Sequence, residues 1–255
     1  MKIAFVGDSF CAQSVRLGTN HPCEGNSYLD IVADELDADI ICTGLGGSAL
    51  YYAYKQIKTV IEKSDYIVIC VTNPNRLYNK NIQVDFNDGM STTFLNWNDD
   101  INEGDEYKKA ITLYYKMLYD EEYNLDVQAG FIQLIDNILF DYKQRCIWLP
   151  CFENSVNNYI PKSGPIARIP LIAISKSEFS CEEDWISFLS ADARDPDRNN
   201  HMSSENNKNL AYFIRDMFEQ ENKNIDIEDY FHFNMLGPGQ CHIHNGNCGH
   251  WHWDE

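Results

Sequence analysis

A serine hydroxyl becomes a useful nucleophile only when a neighbouring base takes its proton and preplaced donors receive the oxyanion that follows. Residues suited to these tasks lie far apart in the chain. Gly7-Asp8-Ser9 directly follows the apolar run Lys2–Val6, so a strand-to-turn transition there exposes the Ser9 hydroxyl sharply. Gly46-Gly47 lets backbone N–H groups approach a ligand with no side chain in the way. Asn73, within Thr72-Asn73-Pro74-Asn75, can add an amide donor, and His201 stands in Asn199-Asn200-His201-Met202-Ser203. Taken alone, Gly-Asp-Ser is a common turn in which Asp or Ser caps a helix, so its position decides its meaning. Asp8 is read as the residue that holds that turn through side-chain to backbone bonds, and Gly44 as a strand-end turn residue.

The elements that must position these residues follow from periodicity. Lys2–Val6 reads as a buried strand, 27–36 as a helix with Leu29, Val32, Ala33 and Leu36 on one face, and 39–43 as a second strand closed by Gly44, Gly46 and Gly47. Leu50, Tyr54, Ile57 and Ile61 mark a second helix. Tyr66–Val71 has six apolar residues without alternation, as expected when both faces of a parallel sheet are covered. This order predicts a doubly wound parallel sheet, in which ligands bind beyond the carboxyl ends of the strands. Ser9, Gly46, Gly47 and Asn73 all follow such ends and should converge on one rim.

Further along, 106–119 and 125–142 read as helices, 146–150 as a fourth strand and 170–174 as a fifth. Leu210, Ala211, Ile214 and Phe218 mark a closing helix from Ser204, with Ser203 or Ser204 as its cap. The segment 79–106 is polar and weakly periodic, which suits a surface insertion, either a variable loop or a substrate lid. The expected architecture is α/β: a three-layer α/β/α sandwich around a roughly five-stranded parallel sheet over 1–222, then a tail over 223–255.

Lysine and arginine total 20 against 39 aspartates and glutamates, a formal net charge of −19. Such a chain repels nucleic acid and anionic membrane surfaces, and neutral or cationic substrates suit it better. No stretch approaches the ~20 apolar residues a spanning helix needs, and the opening run is too short for a signal-peptide core, so a cytoplasmic protein is expected. Seven of the nine cysteines are scattered, several in apolar runs, which fits reduced thiols and not a disulfide framework. The tail concentrates Cys241, His242, His244, Cys248, His250 and His252, residue types that suit one Zn²⁺. Their spacing matches no zinc-finger signature, and an edge strand or docked binding tail is the alternative, so no metal is assigned.

In order and spacing these blocks resemble the SGNH (GDSL-type) hydrolase family, whose members share an N-terminal Gly-Asp-Ser block, a second block with Gly, a third with Asn and a late block with Asp and His. The match covers 1–75 and the stretch from Asp195 to about Phe218; the middle matches in topology alone. The resemblance implies a flavodoxin-like fold in which Ser9 is the nucleophile and His201 the general base, with an oxyanion hole formed by the backbone N–H of Ser9, that of Gly47 and the side chain of Asn73. Family members carry the acid three residues before the histidine, where this chain has Arg198. Asp197 is therefore taken as the orienting acid, with Asp195, or a backbone carbonyl in place of either, as the alternatives. Asn75 competes with Asn73, and Gly46 with Gly47; Pro74 holds Asn73 extended, and family spacing favours Gly47.

The implied activity is hydrolysis of small acyl or O-acetyl esters, with carbohydrate O-acetyl groups as the narrower class. It needs no cofactor, so a metal in the tail would be structural. The shifted acid supports an alternative, a catalytically silent glycan-binding or structural module. The Asn-His-Met-Ser phrase and the Asn-Pro after the third strand are similar to SGNH-like proteins encoded by bacteriophages, which would imply a virion or host-surface role. A third option is acyl transfer to a sugar hydroxyl, with 79–106 as the lid that excludes water.

Overall fold

The structure, a computed structural model, describes residues 1–12, 27–46, 48–76, 113–114, 116–153, 155–156, 159–177, 200–219 and 227–231. Four strands, β1 (Lys2–Val6), β2 (Asp39–Cys42), β3 (Tyr66–Val71) and β4 (Arg145–Pro150), form one sheet in the order β2-β1-β3-β4. Every pairing is parallel, with Ile3 opposite Tyr66 and Ile67 opposite Cys146. β3 is buried at all six positions, which explains its unbroken apolar run: both of its faces meet helices.

Alternate residues of the sheet feed two cores. Ile3, Phe5, Val68 and Cys70 pack with α1 (Tyr28–Glu35), α4 (Leu171–Lys176) and α5 (Ser204–Glu219). Ala4, Val6, Ile67 and Ile69 pack with α2 (Leu50–Val60) and α3 (Glu121–Asp141). Helices thus cover both faces, an arrangement compatible with a three-layer α/β/α sandwich. Among the described residues no helix is long and apolar enough to cross a membrane.

The expected fifth strand at 170–174 is instead α4. Pro170 sits at its N-cap with φ −69° and ψ 145°, and its carbonyl accepts from Ala173 N at 2.9 Å. Leu171 and Ile174 are fully buried, a spacing of three that puts both on one side of a helical turn. A five-residue apolar run cannot by itself separate a buried strand from a short helix, and a leading proline suits the start of either. Among the described residues the sheet continues beyond β4 as an isolated parallel bridge between Trp148 and Ile166. Trp148 N donates to the Pro165 carbonyl and Ala167 N to the Trp148 carbonyl, each at 2.9 Å.

Helix starts follow side-chain caps. Ser27 Oγ accepts from Leu29 N at the head of α1, and Asp120 Oδ1 from Tyr123 N at the head of α3, four residues ahead of the expected start at 125. Ser203 caps α5, accepting from Asn206 N at 3.1 Å, whereas the buried Ser204 hydroxyl has no partner among the described residues. Ser203→Ala is therefore expected to cost about 1 kcal/mol, read as a fall of roughly 2–4 °C in the thermal midpoint. Ser204→Ala should leave the midpoint unchanged; equal falls for both would contradict this assignment of the cap.

Within 223–255 the structure describes one short stretch. Residues 227–231 run along α5, with Ile227 and Phe231 buried, Tyr230 edge-on to Phe213 at 5.6 Å and its hydroxyl donating to Asp216. The insertion at 79–106 and the ligand candidates Cys241, His242, His244, Cys248, His250 and His252 lie outside the described residues.

Candidate active site

At the carboxyl end of β1 the chain turns at Gly7, whose φ of +137° few side chains tolerate. A Cβ there would lie 2.3 Å from the Cys70 carbonyl oxygen, so β3 packs directly against the turn. Gly44, after β2, is equally confined, since its Cβ would meet Cys11 Sγ at 2.5 Å and the Asp8 carbonyl at 2.6 Å. The Gly7 carbonyl accepts from Leu45 N and from Ser48 Oγ, and the Cys11 carbonyl from Gly44 N. The loop after β2 is thereby fastened under the turn that carries Ser9. Gly44 serves that packing, as its reading as a turn residue implied.

Asp8 is fully buried and anchors this turn. Its Oδ1 accepts from Phe10 N at 3.0 Å, capping a short 3₁₀ turn over Ser9–Cys11. Its Oδ2 accepts from Thr72 Oγ1 at 2.8 Å and from Arg76 Nη1 at 2.7 Å, forming an ion pair with almost no exposure on either side. Arg76 also donates to the Ser48 carbonyl at 3.3 Å, and its guanidinium lies 5.3 Å from the centre of the Phe152 ring. A side-chain network thus joins the ends of β1 and β3.

Beneath the same turn Cys11, Cys70 and Cys151 are buried as free thiols. Burial pushes Cys11, Cys151 and Tyr28 well above their usual ionisation range. Burial opposes ionisation of Cys70 too, but hydrogen bonds from Cys11, Cys151 and Tyr28 outweigh it and bring that thiol down to about 6. Full burial keeps these sulfurs from acting as nucleophiles towards solutes. Among the described residues, no group of three or more His, Cys, Asp or Glu side chains is arranged to hold a metal ion.

His201 arrives from the other end of the chain, in the loop before α5. Its Nε2 lies 2.8 Å from Ser9 Oγ, the distance of a good hydrogen bond. The Phe10 ring packs on the imidazole with 5.0 Å between centroids, and the Ser175 hydroxyl donates to the His201 carbonyl. Both Asn200 and His201 adopt left-handed backbone, with φ of +53° and +64°. Two consecutive non-glycine residues in that region are uncommon, and such backbone persists where surrounding contacts fix it. Here Asn206 Nδ2 donates to the Ile174 carbonyl, and Asn207 joins the Met202 and Ser203 carbonyls to the backbone N–H of Tyr28.

The third block also lies at this rim. Asn73 Oδ1 accepts from Asn75 N at 2.8 Å, which commits its oxygen to the local turn and leaves the NH₂ end as the donor. Asn75 Oδ1 instead accepts from the Tyr119 hydroxyl at 2.5 Å, on the side of the segment leading to α3. Both carboxamides thus commit their oxygens to partners at this strand end. Gly47 and both candidate acids, Asp197 and Asp195, lie outside the described residues.

The structure therefore brings Ser9 and His201 into hydrogen-bond contact, with Asn73 at the adjoining strand end. It adds Arg76, Thr72, Ser48 and Asn200, none of which was given a role from the sequence. Only Asn200 carried a signal, because asparagine is one of the few non-glycine residues that readily adopt left-handed backbone. No protein-family model matches the chain, and no curated protein matches it.

Proposed function

We propose that the chain is a serine esterase of the SGNH type that cleaves small acyl esters through an acyl-enzyme. Ser9 Oγ attacks the ester carbonyl as His201 Nε2 takes its proton, and the new Oγ–C bond forms a tetrahedral oxyanion. The backbone N–H of Ser9, that of Gly47 and the Asn73 amide receive that charge. Collapse breaks the bond to the alcohol oxygen, which leaves with the proton from His201. Water, deprotonated by the same imidazole, then releases the acid and restores Ser9. The narrower substrate class is an O-acetyl group on carbohydrate, a neutral ligand compatible with a net charge of −19.

The observation that carries this reading is the 2.8 Å contact between Ser9 Oγ and His201 Nε2, made by residues 192 positions apart at the carboxyl rim of a parallel sheet. Nucleophile and base within hydrogen-bond reach is the geometric signature of an activated serine. Arg198, standing where the family carries its acid, favours a second reading, a silent module that binds an ester-bearing glycan without cleaving it.

Hydrolysis of p-nitrophenyl acetate and labelling by a fluorophosphonate, compared for wild type and Ser9→Ala, separate the two. The esterase hydrolyses and is labelled, and Ser9→Ala does neither. Equal hydrolysis rates for the two proteins would sink the claim for Ser9. A folded wild type that resists labelling points to the silent module.

A further inference from the structure

We infer that Asn200 is the positioning residue that sets the distance between nucleophile and base. The inference rests on the esterase reading of this site and extends it to a side chain outside the reacting pair. Asn200 is buried, and its carboxamide bonds to three groups on two separate segments. Its Nδ2 donates to the Ala12 carbonyl at 2.7 Å and to the Ser9 carbonyl at 3.3 Å, spanning the two sides of the 3₁₀ turn that carries the nucleophile. Its Oδ1 accepts from Ser27 Oγ at 2.8 Å, and that same serine oxygen caps α1 by accepting from Leu29 N. One side chain, adjacent in sequence to His201, thus fastens the base loop to the nucleophile turn and to the head of α1.

This geometry bears on the reaction because Ser9 and His201 sit on separate elements far apart in the chain. Ser9 follows a central strand, and His201 precedes a helix on one face of the sheet. Their 2.8 Å contact depends on how the turn and the loop are held against each other. The left-handed backbone at Asn200 and His201 requires a stabilising contact, and the carboxamide supplies it at the point where the two segments meet. A shift of about 1 Å in a reacting group can cost ~10²-fold in rate.

Two substitutions separate positioning from folding. Asn200→Asp keeps the left-handed preference and the acceptor for Ser27, but sets a carboxylate oxygen where the donor to two carbonyls stood. Asn200→Gly keeps the backbone and removes the side chain altogether. Turnover of p-nitrophenyl acetate is measured per active site titrated with a fluorophosphonate, so that unfolded molecules do not count. Both variants should lose ~10²-fold in per-site kcat, with KM held within about threefold, since no ester-binding group has changed.

An Asn200 that merely stabilises the fold would lower the thermal midpoint and the number of titratable sites while per-site kcat stayed at the wild-type value; that result overturns the inference. Should either variant fail to fold, Ser27→Ala leaves Asn200 in place and removes its hydroxyl anchor, with an expected fall of about tenfold in per-site kcat; an unchanged value overturns the inference equally. If the wild type itself neither turns over nor is labelled, the esterase reading falls first and the role of Asn200 falls with it. Activity lost only in the variants, against an active wild type, tests Asn200 alone.

Discussion

His201→Asn is expected to lower kcat on p-nitrophenyl acetate by about 10⁴- to 10⁶-fold while the protein stays folded. Asparagine suits this test because His201 holds φ at +64°, a conformation asparagine accepts and alanine does not. The variant thus removes the imidazole without straining the loop. Its carboxamide is shorter and too weak a base to take the serine proton, so the acylation rate should collapse while substrate binding persists. Steady-state kinetics with a parallel thermal melt checks both halves. A variant within tenfold of wild type in kcat would mean that the 2.8 Å contact to Ser9 Oγ is structural only.

The largest expected loss of stability comes from the other side of the nucleophile turn. Arg76→Met keeps the apolar stem but leaves the Asp8 carboxylate fully buried without its cation. Removing one partner of a buried ion pair costs about 3–5 kcal/mol, because the remaining charge stays desolvated. For a chain of this size that corresponds to a fall of roughly 6–20 °C in the thermal midpoint. The double variant Asp8→Asn/Arg76→Met should be more stable than the sum of the single losses predicts, since the introduced carboxamide keeps an acceptor for Phe10 N and carries no charge. A single-variant midpoint unchanged to within about 2 °C would show that Thr72 and Phe10 satisfy the carboxylate alone.

The parts of this molecule that were legible in the sequence are those set by short-range rules. β1 and β3 announce themselves as apolar runs because they are central strands covered on both faces. α1 and α5 follow from their periodicity, and their caps from serine. α3 begins four residues early because its first turn, Glu121-Glu122-Tyr123, carries no apolar periodicity; the signal there was the cap at Asp120 and the acidic residues behind it. α4 was misread because a short apolar run gives no period.

The candidate site divides in the same way. Ser9, Asn73 and His201 were recognisable by residue type and by the strand ends or helix starts beside them. Arg76 was not, because its partner is a buried carboxylate 68 positions away and no spacing links an arginine to a distant aspartate. Asn200 was passed over in favour of its neighbour because two of its three partners are backbone carbonyls, which every residue carries alike.

The Ser9–His201 contact closes a loop of 192 positions, and with it Asn200 reaches back 188 positions to Ala12. Local helices and the β1–β3 pairing can form before that loop closes, but the Ser9–His201 contact cannot. Loop closure raises the entropic cost of such a contact only logarithmically with length, whereas folding rate falls as contacts become more distant in sequence. At ~5–20 residues per second a ribosome needs roughly 10–40 s to go from the codon of Ser9 to that of His201. Throughout that interval the nascent chain presents a serine without its base. The Ser9–His201 pair is thus a late feature of this fold, made when two distant stretches of the chain meet.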